Sequence, residues 1–137
     1  MSKKLQLVEH ASYWEIPIRG MAISRFIIDF TFLEIEVFED FTLTFRFEGE
    51  FLFEAGGQER ILTIADPPSL CPILTTLNRA IKLARFSKEG VLEIHLEDDS
   101  KFTVKPRYMV EAWELHSSVG LRVVCVPGGG LGIWLPK

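Results

Sequence analysis

Side chains able to do chemistry are sparse in this chain and gather near its carboxyl end. The stretch "YMVEAWELHSSVGLRVVCVPGGGLGIWL" (residues 108–135) carries Glu111 and Glu114 around Trp113, then His116, Cys125 and three consecutive glycines. Paired carboxylates can serve as acid and base in glycoside hydrolysis. On a strand, however, residues three apart point to opposite faces. Glu111 would then side with Trp113 and Leu115, and Glu114 with Ala112 and His116, so the two acids cannot line one cleft. Glu111 is left as a carboxylate on an apolar face, where a charge must be paired or hydrogen-bonded. That structural role is favoured over a general base.

The other reactive residues do not assemble by spacing. Phosphate-cradling loops precede a helix and carry a lysine and a hydroxyl. Here Pro127, Gly128, Gly129 and Gly130 join two apolar runs, and no lysine follows before Lys137. These glycines read as a turn or bulge. His10, His95 and His116 share no metal-binding spacing, and Cys71 and Cys125 form no CxxC. His95 points outward with Glu93 and Glu97 on its strand, and Cys125 sits among valines as a small hydrophobe. No metal or cofactor site is expected.

The elements that would position these residues are mostly strands. "FLEIEVF" and "TLTFRFE" alternate apolar and polar residues with period two, as half-buried antiparallel strands do. Pairing them sets Leu33 opposite Phe47, Ile35 opposite Phe45 and Glu34 opposite Arg46. "EFLFE" extends this into a three-strand meander, with Phe51 facing Phe47 and Phe53 facing Phe45, and "EAGGQER" ends it in a flexible turn. "AIKLARFS" and "VLEIHLE" form a hairpin with Gly90 in the left-handed position. "KFTV" then returns with Phe102 beside Leu96, Val104 beside Ile94 and Lys101 across from Glu97. "EAWELH", "LRVVCV" and "LGIWL" complete the set, and "LRVVCV", apolar on both faces, should lie inside a sheet.

One helix is expected over about 70–78, with Leu70, Ile73, Leu74 and Leu77 as its stripe, Ser69 as N-cap and Pro72 in its first turn. The fold class is therefore α+β: a mostly antiparallel sheet, partly open barrel or sandwich of about nine or ten strands, forming one β-rich domain over residues 1–137. Tyr13 and Trp14 in "SYWEIPI" either cover an open end of the sheet or form a contact patch.

Composition limits the partners. The net charge is −4, and between Thr31 and Glu59 the acids Glu34, Glu36, Glu39, Asp40, Glu48, Glu50, Glu54 and Glu59 face one base, Arg46. Such a region repels a phosphate backbone, so nucleic acid is not an expected partner. No apolar run approaches the roughly 20 residues of a membrane span. "MSKKLQLVEHASYW" lacks the apolar block of a secretory signal, which points to a cytoplasmic location with reduced thiols.

"GVLEIHL" (from Gly90), "YMVEAWEL" (from Tyr108) and "PGGGLGIW" (from Pro127), in this order, resemble a small bacterial domain family of unknown function with a C-terminal YEAWEL…PGGxLxxW pattern. Asp66-Pro67 and Gly20 fit the same likeness, which spans most of residues 20–135. Met109 and Val110 separate Tyr108 from Glu111, a departure from that pattern. The resemblance implies a bacterial, single-domain, β-rich protein and transfers no catalytic residue. Small acidic domains of this kind also resemble, in type only, the immunity proteins that accompany toxins.

Three functions follow as expectations. The first is a non-catalytic, immunity-like module that binds a protein such as a toxin through Glu34, Glu36, Arg46 and Glu48. On this reading, charge reversal at Glu34 and Glu36 spares folding. The second is an apolar ligand pocket near Trp113, Trp134 and Glu111. The third is an enzyme using Glu111. Exposed strand edges leave a homodimer open.

Overall fold

The computed structural model describes residues 5–136. The ends of the expected domain, residues 1–4 and Lys137, lie outside the described residues. Thirteen strands are found among these: β1 Val8–Glu9, β2 Tyr13–Ile16, β3 Ile23–Ile28, β4 Leu33–Phe38, β5 Thr42–Phe47, β6 Glu50–Ala55, β7 Gln58–Thr63, β8 Ile81–Ser87, β9 Leu92–Leu96, β10 Lys101–Val104, β11 Trp113–Ser117, β12 Arg122–Cys125 and β13 Leu131–Trp134. They form two antiparallel sheets, a seven-stranded one ordered β1-β2-β8-β9-β10-β6-β7 and a six-stranded one ordered β13-β12-β11-β5-β4-β3. The sheets do not close on each other, so the architecture is that of a β-sandwich. Among the described residues no helix is long and apolar enough to cross a membrane.

The period-two rhythm explains the layers. Leu33, Ile35 and Val37 of β4 and Leu43, Phe45 and Phe47 of β5 are all buried, while Glu36 and Arg46 lie on the other face. Their register is the expected one: Leu33 opposite Phe47, Glu34 opposite Arg46, Ile35 opposite Phe45. β12 lies between β11 and β13, as its two apolar faces require. The second sheet contributes Phe53, Phe86, Leu92, Ile94, Leu96 and Phe102 to the same core.

The meander through β6 does not form. After Phe47 the chain crosses to the other sheet through Glu48 and Gly49, and β6 pairs with β7 and β10. Phe47 and Phe51 do meet, with ring centroids 5.2 Å apart, across the gap between layers. Gly49 makes the sharp crossover at φ +91°, where a side chain is strained. "EAGGQER" holds a tight hairpin turn between β6 and the unanticipated β7.

The β9–β10 register is also displaced by two. Phe102 faces Ile94, Val104 faces Leu92 and Lys101 faces His95. Glu97 belongs to the turn, which Asp99 closes in the left-handed region at φ +66°. A slip of two preserves which side chains face inward, so the core is unaffected.

The expected α-helix is a 3₁₀ segment, Pro67–Thr76. Pro72 lacks the N–H that an α-helical ladder needs, and three residues per turn bring i, i+3 and i+6 onto one line. Leu70, Ile73 and Thr76 are accordingly buried, whereas Leu74 and Leu77 are about half exposed. Ser69 caps nothing. Its hydroxyl accepts from Thr63 N and donates to Thr63 O, tying the segment to β7.

One joint connects the layers near the β8–β9 turn. The Trp113 indole N–H donates to Gly90 O at 2.8 Å, and Trp113 packs on Phe86 with centroids 5.4 Å apart. Gly90 has φ +94°, and a Cβ there would lie 2.8 Å from Gly129 O and 3.1 Å from Cys125 Sγ. Gly90→Ala is expected to cost about 2–4 kcal/mol in urea unfolding, from left-handed strain plus overpacking. Gly128→Ala, at φ +90° with open space around it, should cost only the strain of about 1–2 kcal/mol.

Candidate functional site

The outer face of the six-stranded sheet carries most of the residues expected to bind a partner. There the acids are neutralised. Arg46 holds Glu34 at 2.9 Å and reaches Glu114 at 3.7 Å, and Glu114 accepts from Arg122 at 3.4 Å. Arg25 holds Glu36 at 2.9 Å. Arg46 also lies over Phe32 and Arg122 over Trp134, at 4.0 and 5.3 Å from the ring centroids. Opposite charges on neighbouring strands make a ladder across β4, β5, β11 and β12. Its residues are in place to support the sheet rather than to present free charge.

This changes the expectation for Glu34. Its side chain is only 11% exposed beside Arg46, so a reversed charge there would set two cations together with little water. Arg46→Leu is expected to destabilise by about 2–3 kcal/mol, because it leaves the Glu34 carboxylate buried and unpaired. Adding Glu34→Leu should recover much of that loss in a denaturation series. An equal or larger loss in the double variant would show that the ladder is not the source.

Glu48 differs from the ladder. It lies past the end of β5, half-buried, and burial raises its carboxyl above the ordinary range. The charge of Glu111 raises it further, as does that of Glu114, while Arg46 pulls the other way. A raised native pKa adds stability only while the acid is protonated, and that stability is lost as pH rises through it. Glu48→Gln should therefore increase the melting temperature at neutral pH. The gain should vanish below the ordinary carboxylate range, where both chains carry a neutral group.

The residues proposed for a ligand pocket do not converge. Trp113 is 1% exposed inside the sandwich, and Trp134 is 54% exposed. Trp134 pairs with Arg122 on the outer face, its ring folded over Gly132, whose added Cβ would lie 3.0 Å from the ring. The two indoles thus lie on opposite sides of one sheet. Glu111 is exposed and precedes β11, so it is not the half-buried acid that strand alternation implied. Cys125 is buried, and burial together with the charge of Glu111 pushes its thiol upward, away from a reactive thiolate.

A second polar cluster, unanticipated, occupies the seven-stranded sheet. Glu93 accepts from Arg85 at 3.0 Å and pairs with His95 Nε2 at 2.9 Å. Burial works to raise the Glu93 carboxyl, but His95 and Arg85 outweigh it and hold it below the ordinary range. His10 stacks on Tyr13 at 4.3 Å and contacts Glu15 at 3.2 Å, while Arg85 lies 5.0 Å from the Tyr13 centroid. Tyr13 and Trp14 thus belong to half-buried β2, with Trp14 packed on the core. Only the tertiary pairing of β2, β8 and β9 assembles this set.

Three adjacent apolar side chains are exposed in the connection between β10 and β11. Tyr108 and Met109 are 91% and 89% exposed, and Val110 beside them is 40% exposed. The approach to this loop is braced. Arg107 O accepts from Gly128 N at 2.7 Å, and the Arg107 guanidinium donates to Glu48 O at 3.3 Å. Pro106 packs close to Gly129. A phenol ring, a thioether and an isopropyl group on a braced loop form a contact surface of the kind seen at interfaces.

The motifs that meet at this corner, Gly90, Trp113 and the Gly128–Gly129 turn, fall within a single family model matching residues 14–135. The chain belongs to DUF6188, a family of unknown function. No curated protein and no solved structure matches it. The DUF6188 match runs from Trp14 in β2 to Leu135 after β13, and so takes in both sheets except β1 and the start of β2, the layer joint and the 108–110 loop.

Proposed function

We propose that this DUF6188 chain is a non-catalytic protein-binding module, immunity-like in type, whose contact surface centres on Tyr108, Met109 and Val110. The exposure of these adjacent side chains carries the reading. Elsewhere the chain buries most of its large apolar residues, so leaving three together in water is a cost that a partner would relieve. The bracing of Arg107 supports it too, because a pre-ordered loop loses little entropy on binding. Met supplies an adaptable surface and Tyr a rigid one.

The acids expected to recognise a partner shift accordingly. Glu34 and Glu36 are held by arginines, whereas Glu48 and Glu111 lie beside the loop with less compensation. A partner with a basic rim, such as a toxin, is the class to test first. Cys71 and Cys125 are both free thiols, which fits a reducing compartment such as a bacterial cytoplasm.

The test places a photo-crosslinking benzoylphenylalanine at Tyr108 in the producing cell, with Glu97 as the control position. One discrete adduct with a different protein is expected from position 108 and none from position 97. Tyr108→Ser with Met109→Ser should keep the melting temperature, since both side chains are exposed, and should compete poorly for that partner. Adducts only with the chain itself, or none above control, would overturn the reading.

A further inference from the structure

Beside the 108–110 loop lies a groove on the outer face of the seven-stranded sheet. Leu52, Ile61 and Thr103 form its floor, and Lys105, Pro106 and Arg107 its rim. Leu52 is opposite both Ile61 and Thr103, so three adjacent strands put this floor together. Ile61 is 67% exposed there. A second hollow lined by Pro106, Arg107, Tyr108 and Gly128 continues from it to the loop.

We propose that this groove receives an extended segment of the protein partner, with a large apolar side chain on Leu52 and Ile61 and a carboxylate between Lys105 and Arg107. The proposal rests on the interface reading above and names the chemistry that the interface recognises. Size favours a side chain over a free small molecule. The groove holds about 200 Å³, below the roughly 300–1,000 Å³ of small-molecule pockets.

Charge selects the carboxylate. Most cations elsewhere on this sheet are committed: Arg85 to Glu93, Lys82 to Asp99, Lys88 to Glu9 and Lys101 to Glu54. Among the described residues, Lys105 and Arg107 have no carboxylate within ion-pair distance. Glu50 at the groove wall is the one acid lining it, leaving two cations against one anion. The Arg107 guanidinium is also fixed, lying where a Gly49 side chain would be: a Cβ there would come 1.6 Å from Nη1.

The experiment selects random displayed peptides on the immobilised protein and measures the winners by fluorescence anisotropy. Peptides with a large apolar residue within two positions of Asp or Glu are expected. Their affinity should fall at least tenfold in Lys105→Glu and in Ile61→Glu, with melting unchanged, and should not fall in Lys82→Glu. No enrichment, winners lacking a carboxylate, or binding indifferent to the groove variants would overturn the proposal. If the Tyr108 photo-adduct persists when the peptides fail, the groove is wrong and the interface reading stands. Groove peptides binding without any photo-adduct would remove the loop instead.

Discussion

The hydrogen bond from the Trp113 indole to Gly90 O is the point on which both layers and the surface corner depend. Gly90 is the left-handed residue of the β8–β9 hairpin in one sheet, and Trp113 opens β11 in the other. Because Gly90 has no side chain, Gly129 and Cys125 also close in on it. A buried carbonyl in that place costs free energy unless it finds a donor, and the indole and the Cys125 thiol both face it. The distance between the layers and the position of the 127–130 turn are thereby set together. The turn in turn holds Arg107 and the exposed loop.

The two outer faces of the sandwich show how an acidic chain distributes its charge. On each, carboxylates stand next to arginines on neighbouring strands, and guanidinium groups lie over aromatic rings. Such ladders satisfy the strands locally and leave little net field. Outside these ladders, Glu48, Glu111, Lys105 and Arg107 stand around the 108–110 loop, with the Arg107 guanidinium against the Glu48 carbonyl.

Local pairing was legible in the residues, and longer connections were not. The alternation in β4 and β5 specified their register because a shift by one would have turned Phe45 and Phe47 into water. Gly90 marked its turn because few residues tolerate positive φ. The facing of Phe47 and Phe51, in contrast, is satisfied equally by neighbours in one sheet and by neighbours across two, and only the Gly49 crossover distinguishes them. The Leu70, Ile73, Leu74 and Leu77 stripe suggested 3.6 residues per turn, but three prolines impose a tighter winding. Glu111 lies two residues before β11 begins, where strand alternation no longer sets the direction of a side chain. The exposed loop carried no periodic signal: Tyr108, Met109 and Val110 look like core residues until their surroundings are known.

Gly49 links the architecture to the chemistry of the surface. The vacant position at its Cα lets the chain change layers and also seats the planar head of Arg107. Backbone route and surface electrostatics therefore share one atom's worth of room. Enlarging that position would swing a cation away from its berth without altering any residue in the contact zone, so recognition in this fold can be retuned from behind.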